Sequence, residues 1–74
     1  MDYKSFFWDM FLWTQGVNDA ARQFGMQSAD FWKWVADSSG AICAKYEDNR
    51  LAVKQMMMLV EWLEEVYEKQ RAAG

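Results

Sequence analysis

Side chains suited to catalysis or metal binding are few in this sequence. It contains no histidine, the commonest general base and metal ligand of proteins. The single cysteine, Cys43, lies between Ile42 and Ala44, with no cationic cluster that would lower its pKa and activate its thiolate. Lys45 is two residues further along a helix and points elsewhere. We therefore predict a structural thiol and no catalytic residue.

Carboxylates cluster near the end of the chain at helical spacing, as Glu61, Glu64, Glu65 and Glu68. A di-metal centre in a helical bundle needs acidic residues on several helices and normally histidine as well. The sequence offers no second acidic helix. We interpret the cluster as a solvated face and expect neither a metal nor a cofactor.

Apolar contact is the chemistry that this chain offers most. It carries five Trp, five Phe, three Tyr and six Met among 74 residues. Each aromatic side chain removes roughly 150–250 Å² from water when it is buried. A single domain of this length has only a modest core. Some rings must fill that core, and others are expected to form an interface with a partner or with a copy of the chain.

Three consecutive methionines, Met56, Met57 and Met58, point in three directions on a helix, so at least one faces away from the local core. Methionine is flexible and suits adaptable binding surfaces, although it also commonly fills gaps between packed helices. Met58 and Trp62, one turn apart, are the predicted exposed pair. The predicted partner-binding residues are Trp8, Trp32, Met58 and Trp62.

The charge balance, eight basic against eleven acidic residues for a net charge of −3, argues against a nucleic-acid binder. The net negative charge is also too small for a protein that mimics DNA. No apolar run is long enough to span a membrane, and the first residues lack the basic and cleavage regions of a signal peptide. One cysteine forms no internal disulfide, so a reducing, cytoplasmic location is expected.

Hydrophobic periodicity predicts an all-α chain that forms one domain over residues 1–74, a compact bundle of three to four helices. The predicted segments cover about 2–14, 17–24, 28–45 and 49–70. Gly16 and Gly25 are predicted to end helices. The small residues 38–41 leave open whether the third segment breaks or kinks at Gly40.

The first and last segments carry the clearest apolar patterns. A helix as apolar on most sides as the first is buried, oligomeric or interfacial, and a core helix is the simplest interpretation. A membrane-surface helix is disfavoured because Lys4 is its only basic residue. The predicted faces of the first segment are Tyr3, Phe6, Phe7, Met10 and Phe11 on one side and Trp8, Leu12 and Trp13 on another. The predicted seam of the last segment is Ala52, Met56, Leu59, Leu63 and Val66.

Residues 17–36 resemble a helix–turn–helix signature, which is common in DNA-binding regulators. Ala21 is small where the second helix crosses, and Gly25 occupies the turn, where a left-handed backbone is needed. A generic helix–glycine–helix corner would share these features. The positions that fit the pattern are Ala20, Ala21, Phe24, Gly25, Met26, Phe31 and Trp34.

The resemblance implies that the face of the second helix of this element meets the major groove of DNA. Gln27 and Ser28 would then contact bases or phosphates, and Lys33 a phosphate. The local charge argues against DNA binding. Residues 17–37 hold two cations and three anions, whereas affinity for duplex DNA depends on several cationic contacts with phosphates. Trp32, interpreted as exposed, is more typical of a protein contact. The remaining positions on this face are Ala29 and Ala36.

These patterns favour a small non-catalytic protein, regulatory or inhibitory, that binds a protein partner or itself through aromatic and methionine side chains. By analogy alone, small acidic helical chains of this kind include regulators and inhibitors from phages and mobile elements. The first alternative is a DNA-binding transcription regulator that dimerises through its first or last helix. The second alternative is a structural subunit of a larger assembly.

Overall fold

The computed structural model describes residues 1–73, which form three helices connected by two short turns. Helix α1 covers Tyr3–Phe24, α2 covers Ala29–Lys45 and α3 covers Arg50–Ala73. The predicted all-α bundle is confirmed, with three helices. None of these helices is long and apolar enough to cross a membrane.

Helix α1 begins and ends at residues whose chemistry suits a helix terminus. The Asp2 carboxylate accepts hydrogen bonds from the backbone N–H groups of Lys4 and Ser5, which have no partner within the helix. At the other end, Gly25 has a φ of 81°, which favours glycine, and its N–H donates to the carbonyl of Ala21. The prediction that Gly25 ends a helix is confirmed.

The predicted helix end at Gly16 is wrong, because α1 continues through this residue without a break. The 4-3-4-3 spacing of its buried residues also continues across it, as Phe6, Met10, Trp13, Val17 and Ala20. A Cβ atom on Gly16 would lie 3.0 Å from Cζ2 of Trp34 on α2. The glycine is therefore a site of close side-chain packing within one long helix.

Helix α2 is continuous from Ala29 to Lys45, so the small residues 38–41, whose effect the sequence left open, do not break it. Ser28 caps it, because its hydroxyl accepts from the N–H of Asp30. Glu47 and Asp48 in the following turn have φ values of 55° and 54°. Asn49 then caps α3, since its side-chain oxygen accepts from the N–H of Leu51.

Helices α1 and α2 run antiparallel, side by side, from Trp34 to the end of α2. Their contacts begin close to the turn, where Trp34 covers Gly16, and continue to the far end, where Lys45 Nζ lies 2.8 Å from an Asp9 carboxylate oxygen. Between these points the Trp13 indole N–H donates to the Ser38 hydroxyl at 2.8 Å. Helix α3 packs on α2, which places α2 in contact with both other helices.

The buried face of α1 differs from the predicted one. Phe6 and Met10 are buried as expected, but Tyr3 and Phe7 from the same predicted face are exposed. Trp13, predicted on another face, is buried and stacks on Trp34. The prediction failed because so many positions of this helix are apolar that periodicity does not select one face. The predicted seam of α3 is confirmed, with three residues buried and two partly buried: Ala52, Met56 and Leu63, then Leu59 and Val66.

A small polar cluster joins the start of α1 to the end of α2. Asp9 accepts hydrogen bonds from the Lys45 ammonium and from the Tyr46 hydroxyl. The bond from Lys45, followed by that from Tyr46, lowers the pKa of Asp9. Donation to this carboxylate, with a smaller effect of burial, raises the pKa of Tyr46 to about 12.

The Tyr46 pKa predicts a loss of stability at alkaline pH. The pKa of Tyr46 in the folded protein lies above its ordinary value of 10. The stabilisation of the fold by its hydrogen bond to Asp9 is therefore complete below pH 10 and is lost as the pH rises towards about 12. In an ultraviolet titration of tyrosinate, Asp9→Asn should move the highest tyrosine midpoint back towards 10. An unchanged highest midpoint in Asp9→Asn would show that the carboxylate does not control Tyr46.

Candidate protein-binding surfaces

The side of α1 that faces away from the core is covered by large apolar side chains. Trp8 and Phe11 stack there, with ring centroids 5.3 Å apart and planes inclined by 21°. Each residue of this surface keeps between 44% and 62% of its area exposed. We name it the α1 aromatic face, and its members are Tyr3, Phe7, Trp8, Phe11 and Leu12.

Met58 and Trp62 on α3 are exposed, as predicted, and lie one turn apart on the same helix face. Trp62 lines a groove between α1 and α3, together with Asn18. The row Tyr3, Phe7, Phe11, Thr14 and Asn18 follows helical spacing and so shares one side of α1. Asn18, at the end of this row, and Trp62 line the same groove, so the row leads along α1 from the α1 aromatic face towards Trp62.

The interpretation of Trp32 as an exposed residue is wrong, because its side chain is partly buried. Its indole N–H donates to the carbonyl of Met26 at 2.8 Å, which ties the α1–α2 turn to the body of α2. Its ring meets Phe31 and Tyr67 edge to face, at centroid distances of 5.1 and 5.7 Å. Tyr67 is remote in sequence, so the pattern around Trp32 did not reveal this contact.

The structure places Trp32 apart from the other three predicted partner-binding residues. Trp8 belongs to the α1 aromatic face, and Trp62 lines the α1–α3 groove, with Met58 one turn before it on α3. Trp32 lines a different groove, between α2 and α3. Sequence reasoning missed this second groove, although the small residues 38–41 and the second methionine of the triplet, Met57, were its available signals.

Cys43 also lines the α2–α3 groove and is partly buried. Burial, with a smaller contribution from Asp48, raises the pKa of its thiol. A raised pKa leaves less thiolate at neutral pH, so the thiol is a poor nucleophile. Within residues 1–73, no three His, Cys, Asp or Glu side chains come together in a way that could hold a metal ion.

The residues implied in DNA contact occupy the start of α2. Gln27 and Lys33 are exposed, whereas the Ser28 hydroxyl is engaged with the N–H of Asp30. The side-by-side packing of α1 and α2 also differs from the crossing of about 90–120° that is typical of helix–turn–helix elements. Phe24, predicted to belong to the core of this element, is instead 38% exposed because it lies at the last turn of α1.

Comparisons of this chain with family models, with curated proteins and with solved structures give no match.

Proposed function

We propose that this protein is non-catalytic and acts by binding a protein partner through the α1 aromatic face, extended by Met58 and Trp62. One observation carries the proposal: five large apolar side chains on one helix remain about half exposed, because neither α2 nor α3 covers that side of α1. Side chains of this kind dominate the binding energy of protein interfaces.

The area of this surface is close to what a specific interface requires. A half-exposed large side chain presents roughly 100 Å² to solvent, given that aromatic residues bury about 150–250 Å² in full. Seven such side chains therefore present roughly 700 Å². A standard protein–protein interface buries about 800 Å² per partner, whereas the largest apolar patch of a typical monomer is about 300–600 Å².

The charges around this surface indicate the chemistry of the partner. Asp9 on α1 is held by Lys45 and Tyr46, and Lys4 is the one basic residue between Tyr3 and Leu12. Little charge would have to be desolvated on the α1 part of this surface, so the surface that matches the α1 aromatic face is apolar and weakly charged. Binding of this kind regulates or inhibits a partner by covering its surface, at one copy per site. A second copy of the chain meets the same description.

The contact is tested with a photoreactive benzoylphenylalanine in place of Trp8 and, as a control, in place of Gln23, which is exposed on α1 outside the face. After irradiation in cells that naturally contain the protein, position 8 is expected to give one discrete adduct and position 23 none. Sedimentation of the purified chain over a wide concentration range identifies self-association. An adduct of two 8.8 kDa chains would identify the partner as a second copy.

Serine substitutions test whether the face itself is responsible. Phe7→Ser with Phe11→Ser should abolish the adduct at position 8 while helical circular dichroism is retained, because both rings are about half exposed. Phe24→Ser, which removes an exposed phenylalanine of α1 outside the face, should leave the adduct in place. The proposal fails if position 8 gives no adduct or if the double variant keeps it.

The DNA-binding alternative is supported by the exposure of Gln27 and Lys33 at the start of α2. We expect labelled mixed-sequence duplex DNA to show no change in fluorescence anisotropy with the protein, even at low salt, because too few cations surround these residues. Binding at low salt that weakens steeply with added salt, and that Lys33→Glu abolishes, would instead establish the DNA-binding function.

The structural-subunit alternative makes a separate prediction. An obligate assembly gains stability from association, so its melting temperature rises with protomer concentration. A melting temperature that does not change with concentration would exclude self-assembly as the source of the fold's stability.

A further inference from the structure

A second apolar surface runs between α2 and α3, and no residue of α1 lines it. It is an open groove of about 570 Å³. Its floor contains the buried side chains of Val35 and Met56, and Met57 stands at its edge with more than half of its area exposed. The groove is thus built from packed core residues below and an adaptable side chain above.

The middle of the α2 wall of this groove, between Trp32 and Cys43, contains several small residues. Ala36, Ser39 and Gly40 line it, and a Cβ atom on Gly40 would meet nothing within 4 Å. Small side chains permit the backbone of another helix to approach closely. The lining extends along α2 from Trp32 to Cys43, which is about 16 Å at roughly 1.5 Å per residue. This length matches three turns of a helix with apolar anchors at i, i+3 or i+4, and i+7.

The α3 side of the groove is acidic. Glu61 and Glu64 line it, and no lysine or arginine does. Beyond the groove, the surface of α3 continues with Glu65 and Glu68 and with one cation, Lys69, so that carboxylates still predominate. A bound helix would therefore gain from basic residues on the edge that faces α3, and acidic residues there would be repelled.

We propose that the α2–α3 groove binds a basic amphipathic helix of a partner protein, with its apolar side on Val35, Met56 and Met57 and its basic edge against Glu61 and Glu64. This site is separate from the α1 aromatic face and goes beyond the function proposed above. Two surfaces of different chemistry on one small bundle would join two different proteins, or would join a dimer to a target.

The test uses a fluorescent fourteen-residue peptide of leucine and lysine, with leucines at helical spacing, and a matched peptide in which glutamate replaces lysine. Fluorescence anisotropy with the full chain should show binding of the lysine peptide at least about tenfold tighter than that of the glutamate peptide, a difference of about 1.4 kcal/mol. Cys43 is the only cysteine, so its reaction with a thiol reagent reports occupancy of this groove. Saturating lysine peptide should slow that reaction several-fold.

Two pairs of variants locate the binding. Gly40→Leu fills open space in the groove and should weaken binding of the lysine peptide about tenfold, while the fold is retained. Glu64→Lys, which reverses a charge in the groove, should weaken it several-fold, whereas Glu65→Lys, its neighbour outside the groove lining, should weaken it less. Phe7→Ser should leave both binding and Cys43 protection unchanged, which separates this site from the α1 aromatic face.

The proposal is overturned if saturating lysine peptide does not change the reaction of Cys43, or if Gly40→Leu binds the peptide as tightly as the unaltered chain. Equal effects of Glu64→Lys and Glu65→Lys would show a general attraction of cations to an acidic protein, and that result also overturns it.

Discussion

Phe31→Ala is expected to unfold this protein at room temperature. Phe31 is fully buried, and its ring contacts Trp32 edge to face at the point where α2 begins. Removing a buried phenylalanine costs about 3–5 kcal/mol, from lost transfer free energy and from the cavity that remains. A core in a chain of this size supplies roughly 3–5 kcal/mol of net stability. Urea unfolding followed by circular dichroism measures the loss.

The matched control is Phe24→Ala, seven residues earlier in the chain and 38% exposed. Its expected cost is about 1 kcal/mol, because much of the ring already contacts water. The helix–turn–helix pattern placed both phenylalanines in one small core, so it predicts similar losses. Equal destabilisation by the two substitutions would contradict the burial described above and would support that pattern.

The parts of the fold that could be predicted depend on neighbours in the chain. Ser28 and Asn49 cap α2 and α3 through backbone groups two residues away, and Gly25 ends α1 through its own φ angle. The spacing of Ala52, Met56 and Leu63 selects one face of α3 because charged residues, including Lys54, Glu61 and Glu65, occupy the opposite side of the helix. In each case the residues that determine the helix end or the buried face lie close together in the sequence.

The parts that could not be predicted depend on residues far along the chain. The partly buried state of Trp32 depends on Tyr67, and the role of Gly16 depends on Trp34. On α1, apolar residues occupy the outer side as well as the core side, so spacing alone offered no means of separating them. This excess of apolar residues misled the prediction of the core, and it is also the main indication of a binding surface.

The candidate binding surfaces also differ in whether they depend on neighbours in the chain or on distant residues. Met58 and Trp62 were predicted as an exposed pair because three consecutive methionines point in three directions and at least one of them faces away from the local core, and both residues are exposed. The α2–α3 groove was not predicted because the part of α2 that leaves it open carries small residues, Ala36, Ser39 and Gly40, and no large side chain marks it in the sequence. Small residues are informative only once the helix that packs beside them is known.

Gly16→Leu is expected to destabilise the protein by about 1 kcal/mol. A Cβ atom at this position would already lie 3.0 Å from Trp34 Cζ2, and the further atoms of leucine would have to displace that ring from its stack on Trp13. Overpacking of this kind costs about 1–3 kcal/mol, occasionally more. The gain of about 1 kcal/mol from replacing glycine within a helix offsets part of that cost. The free energy of unfolding in urea measures the difference.

Gly40→Leu is the matched control, because Gly40 also lies within a helix but a Cβ atom there would have no neighbour within 4 Å. There the gain in helix propensity acts alone, so the variant should be more stable by about 0.5–1 kcal/mol. The same substitution should therefore change the free energy of unfolding in opposite directions at the two glycines. The direction depends on whether a tryptophan covers the position. A stabilising Gly16→Leu would show that Trp34 moves aside freely and that the close packing of α1 on α2 does not hold the bundle together.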